Sequence, residues 1–235
     1  MKLLFVASAP MEYRGMLPVM KAGAMEPPGR GASGIWTRAG RMNGHEVVIT
    51  ANGVGAKRAA QAVDAMAAVF RPDAVVSTGF CGALDTDLEI GQLVVGTCVK
   101  AAHRSYATQP FASARNCVRG VVASVDHVVQ TAAEKTKLRE QGATVVEMEA
   151  AGVAERAEAL GVPFYCARAV TDLAGEDMAN DFNAALREDG QFATMRIFRH
   201  ALSRPAVRFP ELLRLRGNCI RAANTLGEFF ADCKF

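Results

Sequence analysis

The chain has 235 residues, of which 50% are apolar and 22% charged, a composition typical of a globular protein and not of a disordered, collagen-like or disulfide-scaffold chain. Its 27 basic and 24 acidic side chains give a formal charge of +3, too small to indicate nucleic-acid binding. Six scattered cysteines without a Cys-x-x-Cys pair argue against a zinc or thioredoxin-type site and favour a reducing cytoplasm.

Short, mostly Val-rich runs separated by Gly, Pro or Asp predict strands that are buried on both faces. The first run is interpreted as a strand and not as the core of a signal peptide, because Glu12 and Arg14 follow it too soon. The predicted strands cover residues 3–7, 46–51, 73–78, 92–97, 120–124, 144–146 and 163–170.

Helical patterns lie between several of these strands. One covers residues 56–70 and ends before Pro72, and another covers residues 149–160 and ends at Gly161. Residues 23–34 are rich in Gly and Pro and predict an exposed loop or hairpin connection. Together these elements predict an α/β fold, a single domain whose central mixed, mostly parallel sheet is flanked by helices.

The C-terminal segment, residues 205–235, carries apolar residues at steps of three and four, as on one face of a helix. They are Leu212, Leu215, Cys219, Ala222, Leu226, Phe229 and Cys233, and the arginines Arg208, Arg214, Arg216 and Arg221 lie off this stripe. We therefore expect a domain of residues 1–204 followed by a basic amphipathic helix. That helix either packs on the sheet or binds a partner or the anionic inner face of the membrane, where the protein would be peripheral.

A glycine pair stands between a predicted strand and the helix of residues 56–70. Gly53 and Gly55 allow the backbone to approach an anion or a sugar at the helix N-terminus, or they form a tight turn. Arg58 replaces the third glycine of the dinucleotide pattern Gly-x-Gly-x-x-Gly, which argues against a Rossmann-type oxidoreductase.

A second glycine pair, Gly79 and Gly82, follows the predicted strand of residues 73–78. Ligands of open α/β sheets bind beyond the carboxyl ends of the strands. Gly79 and Gly82 flank Phe80 and Cys81, so this segment either forms a floor for an aromatic base or is a glycine bulge.

Carboxylates follow two other predicted strands. Glu147 and Glu149 flank Met148 between an apolar strand and an Ala-rich helix, so at least one of them is expected to point into the protein. Asp172 ends the strand of residues 163–170. Buried carboxylates are costly unless they bind something, so these residues are candidates for a functional site.

In this order, the segments resemble the superfamily of purine nucleoside phosphorylases and methylthioadenosine/S-adenosylhomocysteine nucleosidases. The resemblance covers roughly residues 1–200, and the matching pieces are residues 1–12, 53–60, 78–82, 146–151 and 168–172. The basic tail and the short region of residues 100–117 look more like the hopanoid-associated phosphorylase branch, which acts on an adenosyl lipid.

The resemblance implies cleavage of the N-glycosidic bond of an adenine nucleoside without a metal or organic cofactor. Breaking this bond creates an oxocarbenium-like sugar and a purine anion. By the family pattern, Asp172 beside Thr171 would protonate the purine near N7. Glu149 would hold the ribose hydroxyls, and Met148 would pack on the sugar.

Further substrate contacts are implied by the same resemblance. Val128 and Val129 fall where the family places the residues that flank the base. Phe80, after Gly79, stands where the family usually has a serine near the anion. An aromatic wall there suits an apolar 5′ substituent, such as that of an adenosyl hopanoid.

The acceptor of the sugar stays open between water and phosphate. Glu12 falls where nucleosidases keep the carboxylate that activates water, whereas a register shift by two residues would place Arg14 there. An arginine suits phosphate, which would then be a co-substrate held by Arg14, by the amides of Gly53 and Gly55, or by an arginine from a neighbouring subunit. A homo-oligomer is expected from the family. The alternative is a non-catalytic nucleoside- or lipid-binding module, supported by Phe80.

Overall fold

The computed structural model describes residues 1–21 and 34–235. The predicted loop of residues 23–34 lies outside the described residues except for Gly34. The strands are β1 (Lys2–Ala7), β2 (Trp36–Met42), β3 (His45–Ala51), β4 (Ala74–Ala83), β5 (Leu93–Ala101), β6 (Arg104–Ala107), β7 (Val118–Ser124), β8 (Val145–Glu147) and β9 (Phe164–Asp172). The helices are a 3-10 turn (Pro10–Tyr13), α1 (Ala56–Phe70), α2 (Ala132–Glu140), α3 (Ala150–Leu160), α4 (Phe182–Ala185), α5 (Thr194–Ala201) and α6 (Pro205–Asp232).

The strands form one mixed sheet in the order β2-β3-β1-β4-β8-β7-β5-β6, and β9 pairs with both β4 and β5. Strands β4, β8, β7, β5 and β9 therefore close into a ring. Parallel pairs outnumber antiparallel pairs by five to four. The predicted fold class is confirmed: an α/β domain with a mixed sheet, flanking helices and a C-terminal helix.

Strand β4 is longer than predicted, because it continues from Ala74 through both glycines of the Thr78–Gly82 segment to Ala83. Its pairing register with β9 shifts between Cys81 and Gly82. The segment is thus a bulged strand and not a loop after a strand end. Strands β2 and β6 and helices α2 and α5 were not predicted.

Apolar layers cover both faces of the sheet. Helices α1 and α3 bury Val63 and Val153 on one side. They approach closely at Gly152, where a Cβ atom would overlap the carbonyl oxygen of Ala56. On the other side, α6 packs Phe229 and Phe230 against the sheet.

The apolar stripe of α6 is buried in its C-terminal half, at Ala222, Leu226, Phe229 and Cys233. This half of the helix shares the core of the sheet. Over residues 1–21 and 34–235, no helix has the length and apolar character needed to cross a bilayer.

Candidate active site

Three predicted carboxylates meet at one cavity of about 280 Å³. Glu12, Glu149 and Asp172 all line it, and none is more than 8% exposed. They reach the cavity from the 3-10 turn after β1, from the start of α3 and from the end of β9. The fold thus brings together residues that are up to 160 positions apart in the sequence.

Glu12 is held by hydrogen bonds to both carboxylate oxygens. Oε2 accepts from the amide and hydroxyl of Ser8, both at 2.8 Å, and from the amide of Ala9 at 2.7 Å. Oε1 accepts from the amide of Phe80 at 2.9 Å. Gly79, with a φ of +143°, makes room for this contact, because a Cβ atom there would overlap Glu12 Oε1.

The two buried carboxylates of the Glu-Met-Glu segment, Glu147 and Glu149, have different hydrogen-bond partners. Glu147 Oε2 accepts from the amides of Glu149 (2.9 Å) and Ala150 (2.8 Å), which begin helix α3, and from the buried guanidinium of Arg168. Arg168 also donates to Ser77 Oγ at 2.6 Å. Glu147 therefore stabilises the start of α3.

The second carboxylate of the segment, Glu149, accepts from the amide of Gly55 at 3.0 Å through Oε1. Burial and the neighbouring charge of Glu147 raise the pKa of Glu149 to about 8, although Arg168 opposes the shift. Burial disfavours the charged form, so Glu149 holds its proton to higher pH than an exposed glutamate does.

Asp172 is paired with a lysine that the sequence analysis missed. Nζ of Lys135, on α2, lies 2.6 Å from Asp172 Oδ2 and donates to the carbonyl of Leu173, also at 2.6 Å. The hydroxyl of Thr171 is 3.1 Å from Asp172 Oδ1. Burial raises the pKa of Asp172 above its usual value, and Lys135 and Thr171 oppose this shift.

The predicted substrate contacts mostly line the same cavity: Met148, Thr171, Phe80, Val128 and Val129. Gly79 is not among the lining residues and instead makes room for Glu12.

The predicted phosphate contacts do not meet at the cavity. Arg14 has an exposed side chain and is not in the lining. The amides of Gly53 and Gly55 are already used, by the carbonyl of Ser8 at 2.9 Å and by Glu149 at 3.0 Å. Within the described part of the chain, no Lys or Arg lines the cavity, and His127 is the lining side chain that can carry a positive charge.

Residues that follow β9, on α4, on α6 and in the segments before α4 and α5, supply an apolar side of the cavity that the sequence analysis did not assign to the site. Its members are Met178, Phe182, Phe192, Leu215 and Cys219. Phe182 and Phe192 meet edge to face, with ring centroids 6.1 Å apart. The stripe of three- and four-residue steps in α6 contained Leu215 and Cys219, and this was the signal that could have found them.

The family model described as the Phosphorylase superfamily matches residues 20–112 and 99–202. The chain belongs to this superfamily. The predicted resemblance is confirmed, and so is the expected class of enzyme, a nucleoside phosphorylase or nucleosidase.

Two related proteins are named 5′-methylthioadenosine/S-adenosylhomocysteine nucleosidase. The one from Chromohalobacter salexigens is 25% identical over 195 residues, which are 70% of this chain and 83% of the relative. The one from Staphylococcus aureus is 29% identical over 178 residues, which are 63% of this chain and 78% of the relative.

Two solved structures share the fold at 18% identity. The futalosine hydrolase of Helicobacter pylori has a TM-score of 0.72 and covers 97% of this chain and 94% of its own. The Neisseria meningitidis nucleosidase in complex with methylthio-immucillin-A has a TM-score of 0.67, with 97% and 99% covered. These relatives are named as nucleosidases or as a futalosine hydrolase, so the assignment to the hopanoid-associated branch stays a prediction. The homo-oligomer also stays a prediction.

Proposed function

We propose that this protein hydrolyses the N-glycosidic bond of an adenine nucleoside. The observation that carries the proposal is the convergence of three buried carboxylates, Glu12, Glu149 and Asp172, on one cavity. Cleavage of this bond needs a proton donor for the base, a negative group near the sugar and an activated acceptor, and these residues can supply the three roles. The named activity of the related nucleosidases supports the same reaction.

Asp172 is proposed as the acid that protonates the purine at N7. Its pKa is raised by burial, so a larger fraction is protonated near neutral pH than for an exposed aspartate. Lys135 holds Oδ2 at 2.6 Å, which fixes the orientation of the carboxyl group and leaves Oδ1 beside Thr171. Protonation of the leaving base removes the cost of expelling a purine anion.

Glu149 is proposed to bind the ribose hydroxyls. Hydroxyl donors favour the ionised carboxylate, so substrate binding lowers the raised pKa of this group and places a negative charge next to the sugar. That charge stabilises the oxocarbenium-like transition state more than it stabilises the neutral substrate. Met148, which lines the cavity next to it, is proposed to pack on the sugar.

Water is the proposed acceptor, and Glu12 the group that activates it. Glu12 faces the cavity and is fixed by four donors, as a base that must direct one water molecule requires. A phosphate dianion would need cationic or free amide donors. The amides of Gly53 and Gly55 already have acceptors, and Arg14 is exposed.

We propose an apolar 5′ substituent for the substrate. Phe182, Phe192 and Leu215 line the cavity, and apolar groups of a ligand gain free energy by leaving water for such a surface. A methylthio group fits this description, and so does the adenosyl hopanoid expected from the branch resemblance. The chain length of the 5′ group that binds best would decide between them.

The test is adenine release from methylthioadenosine and from adenosine, with and without phosphate. We expect release that does not depend on phosphate, with methylthioadenosine preferred and with free ribose or methylthioribose as the sugar product. Release that requires phosphate and yields a sugar 1-phosphate would overturn hydrolysis while keeping the bond cleaved.

The alternative is a nucleoside-binding module without catalysis, favoured by Phe80 in place of the family's serine. It predicts that methylthioadenosine binds without turnover, which calorimetry combined with the same adenine assay would show. Phe80 nevertheless supplies its backbone amide to Glu12, so the carboxylate keeps a donor that does not depend on the side chain.

A further inference from the structure

Helix α5 has an apolar face that points to solvent. Met195, Phe198 and Leu202 follow one another at steps of three and four residues, which places them on one side of the helix. They are 70%, 49% and 54% exposed. A surface helix normally turns its apolar side to the core, so a contiguous exposed apolar face points to something that covers it.

The charge around this face is strongly asymmetric. Residues 192–216 contain six arginines and a single acidic residue, Glu211. Glu211 is buried and accepts from the amides of Ala179 and Asn180. This stretch carries a formal charge of +5, whereas the whole chain carries only +3. Arg214 pairs with Glu176 at 2.6 Å, so five of the six arginines form no ion pair with the described residues.

Three of these arginines surround the apolar face of α5 and are exposed: Arg196, Arg199 and Arg204. Arg199 lies between Phe198 and Leu202 in the sequence, one residue off the apolar side. Apolar side chains flanked by arginines are the pattern of a helix that lies in the headgroup region of an anionic bilayer.

We propose that α5 binds the surface of an anionic lipid bilayer, with Met195, Phe198 and Leu202 inserted among the headgroups and Arg196, Arg199 and Arg204 against the lipid phosphates. This inference rests on α5 and not on the proposed reaction. It also relocates the membrane contact that the sequence analysis placed on the apolar stripe of α6, because the C-terminal half of that stripe is buried under the sheet.

A second copy of the chain is a less suitable occupant of this face. In a two-fold dimer the same patch contacts itself, so the arginines of the two copies would oppose each other, and residues 194–204 contain no acidic side chain to pair with them. An anionic bilayer supplies the missing negative charge over the whole face.

The arrangement has a consequence for the cavity. Phe192 lines the cavity, is 37% exposed and precedes α5 by two residues. A bilayer bound at α5 would therefore lie beside this side of the cavity, and a substrate with an apolar 5′ chain could reach the site from the lipid phase.

The experiment is sedimentation of the full chain with vesicles of phosphatidylcholine alone or of phosphatidylcholine and phosphatidylglycerol in equal parts. We expect binding only to the anionic vesicles, and weaker binding at high salt because ions screen the arginines. The variant R199Q/R204Q should bind about fivefold more weakly for each arginine removed. The variant F198E/L202E should lose binding.

Control variants distinguish an effect of the apolar face of α5 from the general effect of replacing an exposed apolar side chain by a glutamate. Val69, 65% exposed at the end of α1, supplies a matched apolar position, and V69E should bind vesicles as the unchanged protein does. R199Q/R204Q and V69E should keep their melting temperature, and F198E/L202E should stay folded although it loses the contact of Phe198 with Phe209, whose ring centroids are 5.6 Å apart. All variants should keep their adenine release from a water-soluble nucleoside. A variant that loses vesicle binding but still releases adenine would show that membrane binding and the proposed reaction depend on different residues.

Two results would overturn the proposal. One is equal binding, or no binding, to neutral and anionic vesicles by the unchanged protein. The other is a lower molecular mass of F198E/L202E in sedimentation velocity without a change in vesicle binding, which would make a second copy of the chain the occupant of this face.

Discussion

Polar groups at the floor of the cavity are fixed by protein donors, whereas the side chains at its rim are apolar and come from two helices and the segment before α5. We define the floor as Glu12, Glu147, Glu149 and Asp172, and the rim as Phe182, Phe192 and Leu215. Each floor carboxylate accepts at least one hydrogen bond from the protein. The rim lies on α4, on α6 and on the segment before α5.

We infer from this difference that the floor determines which reaction occurs and that the rim determines which substrate is accepted. Glu147 and Asp172 end strands and Glu149 lies two residues after one, so the sheet fixes their positions. Glu12 lies in the 3-10 turn after β1 and is fixed by its four donors. The rim contributes apolar surface to binding. Burial of apolar surface is not directional, so the rim does not require one orientation of the ligand. The floor should therefore control kcat, and the rim should control which 5′ group is accepted.

The largest expected effect is that of Asp172→Asn. An amide cannot donate the proton that the leaving purine needs, so kcat should fall by about 10²–10⁴-fold, while methylthioadenosine still binds. Single-turnover adenine release and calorimetry would measure the two quantities. Asp87→Asn, on an exposed loop, is the control, and a kcat for Asp172→Asn close to that of the control would contradict the assignment.

Glu149→Gln tests the second floor carboxylate. Losing the negative charge beside the sugar should lower kcat/KM by about 100-fold, the usual effect of removing one contact that strengthens in the transition state. The matched control is Glu155→Gln, an exposed position on the same helix. Equal kcat/KM values for these two variants would remove Glu149 from the proposed mechanism.

The same substitution should also change how the stability of the free protein depends on pH. The pKa of Glu149 is raised from 4.5 to about 8, so between these values the folded state keeps a proton that the unfolded state has lost. The free energy of unfolding should then fall by about 1.4 kcal/mol per pH unit over this range. Urea unfolding at pH 5 and pH 8 should show a larger fall in Glu155→Gln than in Glu149→Gln, which keeps the contribution of Asp172, whose pKa is also raised.

Lys135→Met should have a smaller effect on rate and a distinct effect on pH dependence. Lys135 lowers the pKa of Asp172, against burial and the charge of Glu176, so its removal should move the alkaline limb of kcat/KM to higher pH. The variant should also lose about 3–5 kcal/mol of stability, because it leaves a buried partner unpaired.

Lys137→Met, exposed on the same helix, is the control for Lys135→Met. If the buried variant unfolds, Lys135→Arg keeps the charge and should keep the alkaline limb in place. An unshifted limb in a folded Lys135→Met variant would reduce Lys135 to a packing role.

The smallest expected effect is at the rim. Phe192→Ala should raise KM about tenfold for a nucleoside with a long apolar 5′ group, which corresponds to the loss of part of one aromatic contact. Adenosine, which lacks that group, should keep its KM and kcat. A fall in kcat for both substrates would show that the rim also orders the floor, and the division of roles would then fail.

The sequence predicted the repeated strands and the long helices because their apolar patterns are local. It missed strand β2, although Asn43-Gly44 joins β2 to β3 with positive φ angles of 51° and 80°, the usual signal of a two-residue hairpin. It missed α2 because that helix has little apolar surface, although Thr131 accepts from the amide of Glu134 as a capping pattern predicts.

Among the site residues, the sequence predicted those whose role is indicated by the chain segment in which they lie. Glu149 and Asp172 follow apolar strands, so burial can be expected from the pattern alone. Lys135 and Arg168 are fully buried, yet a charged residue on a polar helix or within a strand gives no sign of its partner 37 or 21 positions away. Such pairs depend on the tertiary arrangement of α2, β8 and β9.

Strand β9 pairs on both sides, with β4 and β5, and carries Arg168 and Asp172. Each of its amides donates to one neighbour or the other, and the whole strand is released only when both ladders open, so these amides should be among the slowest to exchange with deuterium. Residues of α5 should exchange within the shortest labelling times. The floor of the cavity would then lie in the last cooperative unit of the protein to unfold. It would stay folded during local unfolding that already displaces the helices of the rim.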